Sequence, residues 1–316
     1  MQLVVSPYHL TTREPPAMAA AMLAHSIVTM MPVPTEGADQ HIVEQMVRDV
    51  PRYHELIDAW RWCAPMWESG LIASMFNGND PAQDVRSIVN EIHDRREFRG
   101  LAGLVDRAVY HDERSYIAAL SLDLLRGGPD PSVCVPIACG LDRFAGRHGM
   151  VSVRSEPVSL VQRTEARVAT KIASAVIPVF LQADADTITQ SRVMLEPELE
   201  ALRTVMDHAI ENADLGAYPQ QHLRAAASRY GDAFDEVARE LTHEQSDDDV
   251  RLLTGAVSIN LVSFPQDTAL IAGAAAAKSM GFGCHVRKEP AMPQWNPGTR
   301  FTSMIVKLIG RSSSAT

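Results

Sequence analysis

Two kinds of segment alternate along the chain, and this alternation limits the fold more than any single motif. Segments rich in β-branched residues, with glycine and proline at their ends, lie near 1–35, 127–183 and 251–311. The segments between them, 36–126 and 184–250, carry apolar residues at helical spacing. This pattern predicts an α/β fold, with a mixed α+β arrangement as the alternative.

The simplest domain organisation places the three β-rich segments in one mixed sheet. The segments 36–126 and 184–250 are then helical insertions, the second of them acidic. A helical domain beside a separate α/β domain is the alternative. The polar tail 312–316 is expected to be disordered. At 316 residues the chain is long enough to bury a sizeable core.

Individual elements are predicted from periodicity and from turn residues. The predicted strands are Met1–Leu10, Ser26–Met31, Met150–Arg154, Ala173–Leu181, Ala256–Phe264, Cys284–Arg287 and Phe301–Ile309. The predicted helices are Gln40–Val50, Tyr53–Ser74, Ala82–Ile92, Tyr116–Leu125, Leu141–His148, Ser159–Lys171, Glu196–Ala213, Gln220–Leu241 and Ala269–Met280. Gly149 fits a helix C-cap. The run Val133–Ile137 fits either a strand or the start of a helix.

Composition and charge exclude several classes of protein. The net charge of −10 and the lack of a basic stripe argue against nucleic-acid binding. No apolar run approaches the roughly 20 residues of a membrane span, and no signal peptide is recognisable. The four cysteines include no Cys-x-x-Cys pair and have apolar neighbours, which is typical of inert thiols in a reducing compartment. We therefore expect a soluble, cytoplasmic protein.

The negative charge is concentrated in one segment. Between Asp184 and Val250 there are 16 acidic residues against 5 arginines, a net charge of −11. Solvated helix faces explain such a segment, and a docking surface for a basic partner is the functional alternative.

The first predicted strand leads into a helix through the polar sequence Thr11-Thr12-Arg13-Glu14. One interpretation is structural. Thr11 and Glu14 have the spacing of a capping box, in which each side chain bonds to the backbone N–H of the other residue. The two prolines that follow are compatible with a first helical turn, where backbone donors lack partners.

The other interpretation of this junction is a binding site, because open α/β sheets hold ligands where a strand passes into a helix. The residues concerned are His9, Thr11, Thr12 and Arg13. Donors and positive charge there suit a phosphate or carboxylate. Arg154, at the end of another predicted strand, joins this anion-binding set if the two strands are neighbours. His9 is then the candidate acid–base residue. No Gly-x-Gly-x-x-Gly or Walker sequence follows the strand, so no cofactor is predicted.

Three tryptophans, Trp60, Trp62 and Trp67, lie close together in one predicted helix. Core packing explains them. A partner-binding patch is the alternative, because exposed tryptophans are good interface anchors.

A histidine–aspartate series crosses the first helical segment. It consists of His54, His93-Asp94, His111-Asp112 and Asp123. The series is similar to the metal-binding series of the HD phosphohydrolase family, which implies metal-assisted phosphoester hydrolysis. The neighbours Arg95, Arg96 and Glu97 are charged, whereas metal-bearing helices usually have small and apolar neighbours there. These charged neighbours indicate that the His-Asp pairs occur by chance on solvated helices, so no metal site is predicted.

No strong catalytic motif stands out in the chain. The leading prediction is therefore a non-catalytic binding or assembly protein that acts through helical surfaces on a protein partner or a second copy of itself. The alternative is an enzyme or sensor for an anionic small molecule at the His9–Arg13 junction. The sequence leaves open whether the chain has catalytic activity.

Overall fold

Seven strands form one mixed sheet in the order β3-β2-β1-β4-β7-β6-β5. The structure, a computed structural model, describes residues 1–30, 48, 53–74, 81–111, 113–125, 130–155, 170–213, 220–244, 252–265 and 300–312. The strands are β1 (Gln2–Val5), β2 (Ser26–Thr29), β3 (Ile72–Ser74), β4 (Val151–Ser155), β5 (Thr170–Leu181), β6 (Leu253–Pro265) and β7 (Arg300–Ser312). The predicted α/β fold, with a sheet drawn from the N-terminal, central and C-terminal segments, is confirmed.

The sheet is parallel on one side and antiparallel on the other. Strand β1 pairs in parallel with β2 and with β4, and β4 pairs in parallel with β7. Strand β6 runs antiparallel to both β5 and β7. The chain first builds outward from β1 to β3 and then returns to place β4 on the other side of β1. The carboxyl ends of β1 and β4 therefore flank the topological switch point of the parallel part.

Helices cover the sheet. They are α1 (Pro7–Thr12), α2 (Pro15–Leu23), α3 (Tyr53–Trp60), α4 (Ala64–Glu68), α5 (Pro81–Asp94), α6 (Arg99–Ala102), α7 (Glu113–Leu125), α8 (Pro131–His148), α9 (Ala185–Met194), α10 (Glu196–Glu211) and α11 (Gln220–Glu244). Both α2 and α8 pack against β1, β4 and β7, while α11 packs on β5. The β1 residues Leu3, Val4 and Val5 are at most 1% exposed, so side chains on both faces of this strand are buried. None of the described helices is long and apolar enough to cross a membrane.

Local sequence signals explain α8 well. Asp130 caps its N-terminus by accepting a hydrogen bond from the Ser132 N–H, and Pro131 occupies the first turn. Gly149 ends the helix with φ 66°, which confirms the predicted cap. The ambiguous run Val133–Ile137 belongs to this helix.

Three predicted elements are wrong in their extent. The helix predicted over Leu141–His148 begins at Pro131. The first strand ends at Val5 and not at Leu10, because Ser6 caps a helix whose first residue is Pro7. The predicted helix Tyr53–Ser74 breaks after Trp60, continues as a 3₁₀ turn and α4, and ends as strand β3. Gly70, with φ 76°, makes the turn that precedes this strand. The segment 36–126, predicted to be helical, thus supplies one strand to the sheet.

At one edge of the sheet, strand β5, a side chain occupies backbone hydrogen-bonding groups. The Gln220 amide accepts a hydrogen bond from the Ser174 N–H at 3.0 Å and donates one to the Ser174 carbonyl. Pro178, farther along β5, has no N–H to offer. Both features hinder the pairing of another strand with this edge.

Several predicted segments lie outside the described residues. They are the helix Ala269–Met280, the strand Cys284–Arg287, almost all of the helix Gln40–Val50, nearly all of the helix Ser159–Lys171, and the tail from residue 313. Lys171, the last residue of one of these predicted helices, lies in β5.

Candidate anion-binding site at the carboxyl end of the first strand

The polar residues that follow β1 form a short helix and not the predicted capping box. The Ser6 hydroxyl caps α1, accepting from the Tyr8 N–H at 3.4 Å. The Thr11 hydroxyl donates to the carbonyl of Pro7 at 2.9 Å, inside α1. Glu14 is the N-cap residue of α2 but makes no side-chain capping bond. The capping box is therefore absent, because Thr11 is already within a helix and Glu14 bonds to another residue.

Helix α1 depends on its neighbours for its position. With six residues it is far too short to be stable alone. The Tyr8 hydroxyl donates a hydrogen bond to Asp123 on α7. The indole N–H of Trp60 donates to the Thr11 hydroxyl at 2.6 Å, and that of Trp62 donates to the Leu10 carbonyl at 3.0 Å. Three side-chain hydrogen bonds thus fix the segment that carries His9 and leads to Arg13.

His9 forms a close pair with a carboxylate. Its Nδ1 lies 2.7 Å from Oε2 of Glu14, with the imidazole 12% exposed and the carboxylate 42% exposed. The hydrogen bond from His9 holds the pKa of Glu14 below its ordinary value of 4.5, although partial burial acts in the opposite direction. No partner of the other ring nitrogen, Nε2, is found in the described part of the chain. A carboxylate that fixes one nitrogen of an imidazole orients the ring, so that the other nitrogen can exchange a proton with a bound molecule.

Arg13 ends α1 in the left-handed conformation, with φ 50° and ψ 40°. Its guanidinium lies over the ring of Trp62, 5.0 Å from the ring centroid, and donates to the Gln182 carbonyl at 3.3 Å. Within the described ranges no carboxylate pairs with it. The charge of Arg13 is therefore held in a defined place while it lacks a counter-ion.

The two threonines of the predicted set are less available. The Thr11 hydroxyl donates inside α1 and accepts the Trp60 indole N–H. The Thr12 hydroxyl donates to the Tyr8 carbonyl at 3.0 Å and is exposed. The Thr12 side chain also hydrogen-bonds to the Glu14 carboxylate and helps to lower the pKa of that group. Both threonine hydroxyls are thus engaged by groups of the protein.

Arg154 does not join the set, which corrects the sequence prediction. The condition for its participation is met, since β1 and β4 are neighbours with Leu3 opposite Val151. Its guanidinium is nevertheless bound to Asp142 and lies 4.8 Å from the ring centroid of Phe264. Asp142 is nearly buried and also accepts the Ser152 hydroxyl at 2.7 Å. The buried carboxylate holds the Arg154 guanidinium against α8, where its charge is neutralised.

The tryptophans are core residues, as the first of the two interpretations expects, and the alternative of an exposed partner patch does not fit their burial. Trp60 is 1% exposed, and Trp62 and Trp67 are each 8% exposed. Two of the three indole N–H groups bond to α1, as described above. These side chains pack inside the chain and offer no surface to another protein.

The histidine–aspartate series is occupied by structural contacts. His93 Nε2 lies 2.7 Å from the Val105 carbonyl, and Asp94 forms an ion pair with Arg107 at 2.7 Å. The buried Asp123 accepts both the Tyr8 hydroxyl and the Asp130 N–H. In the described ranges no three His, Cys, Asp or Glu side chains are grouped as metal ligands. The side chain of His54, and Asp112, lie outside the described residues.

Three residues that shape the site carry no marked sequence signal. Gln182 has φ 60° and follows β5, yet its sequence neighbours indicate no turn with a positive φ. Asp142 sits in the middle of a helix, where acids are common and usually exposed. Tyr8 is one residue from His9, but its partner Asp123 lies 115 positions away. Only the tertiary structure brings Gln182 and Tyr8 to the carboxyl end of β1. Only the tertiary structure, likewise, pairs Asp142 with Arg154.

The chain matches no family model, and it matches neither a curated protein nor a solved structure.

Proposed function

We propose that this protein is an enzyme or sensor that binds a small anionic molecule, phosphorylated or carboxylated, at the carboxyl end of β1. Arg13 binds the anionic group, and His9 lies at the same junction, able to donate a hydrogen bond or exchange a proton. Arg154, Thr11 and the tryptophans have no part in this binding.

The observation that carries the proposal is the set of partners that the Arg13 guanidinium has. This group has a backbone carbonyl and an aromatic ring as partners, and no carboxylate among the described residues. An arginine that already pairs with an acid has less affinity for an added anion. An arginine held over an indole is preorganised and so loses less entropy on binding a phosphate or carboxylate.

The location supports the same function. Parallel α/β sheets bind ligands at the carboxyl ends of strands beside the switch point, and His9 and Arg13 follow the strand at that point. The His9–Glu14 pair adds an imidazole whose orientation is fixed. An oriented imidazole can transfer a proton to or from an anion bound next to it.

Isothermal titration calorimetry at low ionic strength tests the proposal, with inorganic phosphate and succinate as probes of the two ligand classes. We expect at least one probe to bind, and Arg13→Gln to weaken its binding by about tenfold or more. Arg13→Lys keeps the charge but loses the planar group, so it should retain part of the affinity.

The matched control is Arg61→Gln. Arg61 is close to Trp62 in sequence and highly exposed, and it pairs with Asp58 at 2.7 Å. Removing it changes the net charge equally but leaves Arg13 in place. Equal loss of affinity in the two glutamine variants would mean general electrostatic attraction and would contradict the site. Native mass spectrometry of the purified protein adds a readout of any ligand that stays bound.

A second candidate function is docking of a basic protein partner on the acidic helices, and it has its own supporting observation. Two of the five arginines between 184 and 250 point inward, since Arg203 is 1% exposed and Arg192 bonds to carbonyls of α2. The exposed acids on α10 and α11 are Glu196, Glu200, Glu211, Asp232, Asp235, Glu236 and Glu240. The outer surface is thus more acidic than the count of residues indicates.

Charge reversal tests this second candidate. A variant with Asp232, Asp235 and Glu236 changed to lysine should lose any partner captured by the wild-type protein at low salt. Arg13→Gln should keep such a partner. Retention of every partner by the triple variant would contradict a role for this surface.

A further inference from the structure

Two arginines from neighbouring helices hold the C-terminal end of α2. Arg192 on α9 donates to the carbonyls of Ala21, Met22 and Ala24 at 2.6 to 2.9 Å. Arg203 on α10 donates through Nε to the Leu23 carbonyl at 2.8 Å. These carbonyls are the groups that a helix C-terminus leaves without partners, so both guanidinium groups are drawn into the interior.

The hydrogen bonds of this buried region are incomplete. Nη2 of Arg203 and the hydroxyl of Tyr230 on α11 are both inaccessible to solvent, and neither has a hydrogen-bond partner. The two residues are 1% and 0% exposed. A buried donor without a partner is destabilising, because it has given up its hydrogen bonds to water and gained none in the protein. Arg203 and Tyr230 lie on helices that pack together, so one acceptor between these helices would serve both donors.

The charges around these donors are unevenly neutralised. Arg203 pairs with Glu196 at 3.0 Å and Glu200 at 3.5 Å, but both carboxylate side chains are more than half exposed. Water therefore weakens their effect on the interior. Arg192 has no carboxylate partner among the described residues, and burial, followed by the charge of Arg203, lowers its pKa to about 10.

Tyr230 belongs to the same group of residues. Burial raises the pKa of its hydroxyl, and the positive charges of Arg192 and Arg203 act in the opposite direction. The hydroxyl therefore stays protonated and is able to donate. A ligand that suits these two groups accepts hydrogen bonds from a guanidinium and a phenol in a region of excess positive charge. A monatomic anion accepts from several donors and brings negative charge, whereas a water molecule adds no charge and two more donors that need acceptors.

We propose that Arg203 Nη2 and the Tyr230 hydroxyl, both buried and carried by the packed helices α10 and α11, form an internal site for a small monovalent anion of the halide class. Chloride accepts hydrogen bonds from Arg203 Nη2 and the Tyr230 hydroxyl and completes the contacts that tie α9 and α10 to α2. This site is independent of the one at Arg13.

Thermal unfolding in chloride and in gluconate at equal ionic strength tests the proposal, because gluconate is too large to enter. Ligand that binds only the folded state raises the midpoint of unfolding. We expect the wild-type midpoint to be about 2 °C or more higher in chloride, with a saturable dependence on its concentration. Tyr230→Phe removes one donor and no existing hydrogen bond, so it should fold and lose most of this difference.

Tyr110→Phe is the matched control. The Tyr110 hydroxyl is also largely buried, but it donates to the Ser132 carbonyl at 2.8 Å. This variant should be less stable in both salts and keep the full chloride-dependent difference. A bromide-soaked crystal should show an anomalous peak beside Arg203 Nη2 and the Tyr230 hydroxyl. Equal midpoints in the two salts, or a water molecule in place of bromide, would overturn the proposal.

Discussion

Arg13 and Gln182 are 169 positions apart and are joined by a hydrogen bond from the Arg13 guanidinium to the Gln182 carbonyl, at 3.3 Å. They are also the two non-glycine residues with positive φ among those that the structure describes, at 50° and 60°. Backbone conformations of this kind are unfavourable for residues with a Cβ atom and persist where surrounding contacts enforce them. The junction after β1 is thus linked to the end of β5 by two strained residues.

Substitution of Gln182 by glycine should stabilise the protein. The side chain is exposed, and glycine adopts φ 60° without steric conflict. We expect Gln182→Gly to raise the free energy of unfolding by up to about 1 kcal/mol, the usual difference for a left-handed residue. Gln182→Val should lower it by about the same amount, because β-branched side chains fit this conformation poorly. Urea unfolding followed by circular dichroism measures both, and the reverse order of stability would contradict the assignment.

The Asp142–Arg154 pair should show strong coupling. The side chains are 3% and 15% exposed, so removing one partner leaves a poorly solvated charge. Asp142→Ala and Arg154→Met should each lower the free energy of unfolding by about 3–5 kcal/mol. The double variant should lose much less than the sum of the two, and its unfolding curve completes a double-mutant cycle. Additive losses would mean that the pair contributes no specific interaction.

The tryptophans should differ in their sensitivity to substitution. Trp60→Phe removes an indole N–H that bonds to Thr11, whereas the buried Trp67 N–H has no partner to lose. Both changes leave a small cavity. We expect Trp60→Phe to lower the free energy of unfolding by about 1 kcal/mol more than Trp67→Phe does, through the lost hydrogen bond. Denaturant titration of the two variants side by side provides the comparison, and an equal loss would argue against the Thr11 contact.

Acid should remove the contribution of the His9–Glu14 pair. The hydrogen bond from His9 lowers the pKa of Glu14 in the folded state below 4.5. A carboxylate with a lowered folded pKa stabilises the protein above its unfolded pKa, and this contribution is lost as the pH falls through the folded value. The difference in stability between the wild-type protein and Glu14→Gln should therefore be constant at neutral pH and shrink below pH 4.5.

The control for this measurement is Glu236→Gln, which alters an exposed carboxylate on α11 and leaves the His9–Glu14 pair in place. This variant should therefore lose stability below pH 4.5 in parallel with the wild-type protein. If the Glu14→Gln difference is also independent of pH below 4.5, the His9–Glu14 hydrogen bond does not form in solution.

The described thiols should be inert in the folded protein. Burial raises the pKa of Cys63 and that of Cys134 to about 12, and Cys139 is also buried. Because the thiolate is the reactive form, iodoacetamide at pH 8 should leave all three unmodified until the protein unfolds. Peptide mass spectrometry after timed labelling identifies each cysteine separately. Rapid modification of Cys63 or Cys134 would show that its region opens readily.

The sequence by itself determined the elements whose signals are local. Gly149 ends α8 as the sequence predicts, and the β-branched runs of β5, β6 and β7 form strands because alternating or continuous apolar patterns fit a sheet. The α/β class follows from the same local patterns. The proximity of His9 and Arg13 along the chain also follows from sequence, since only four positions separate them.

The tertiary structure decided the rest, since the deciding partners are distant in sequence. Arg154 is directed by Asp142 and Phe264, and the three tryptophans are buried by packing that no local pattern encodes. Residues 72–74 become a strand only because β2 offers a free edge beside them. The position of the Arg13 guanidinium depends on Trp62 and on Gln182, and the path of the whole chain places these two residues. Local propensity determines where an element can form, whereas long-range packing and charge pairing determine which of its side chains remain available to a ligand.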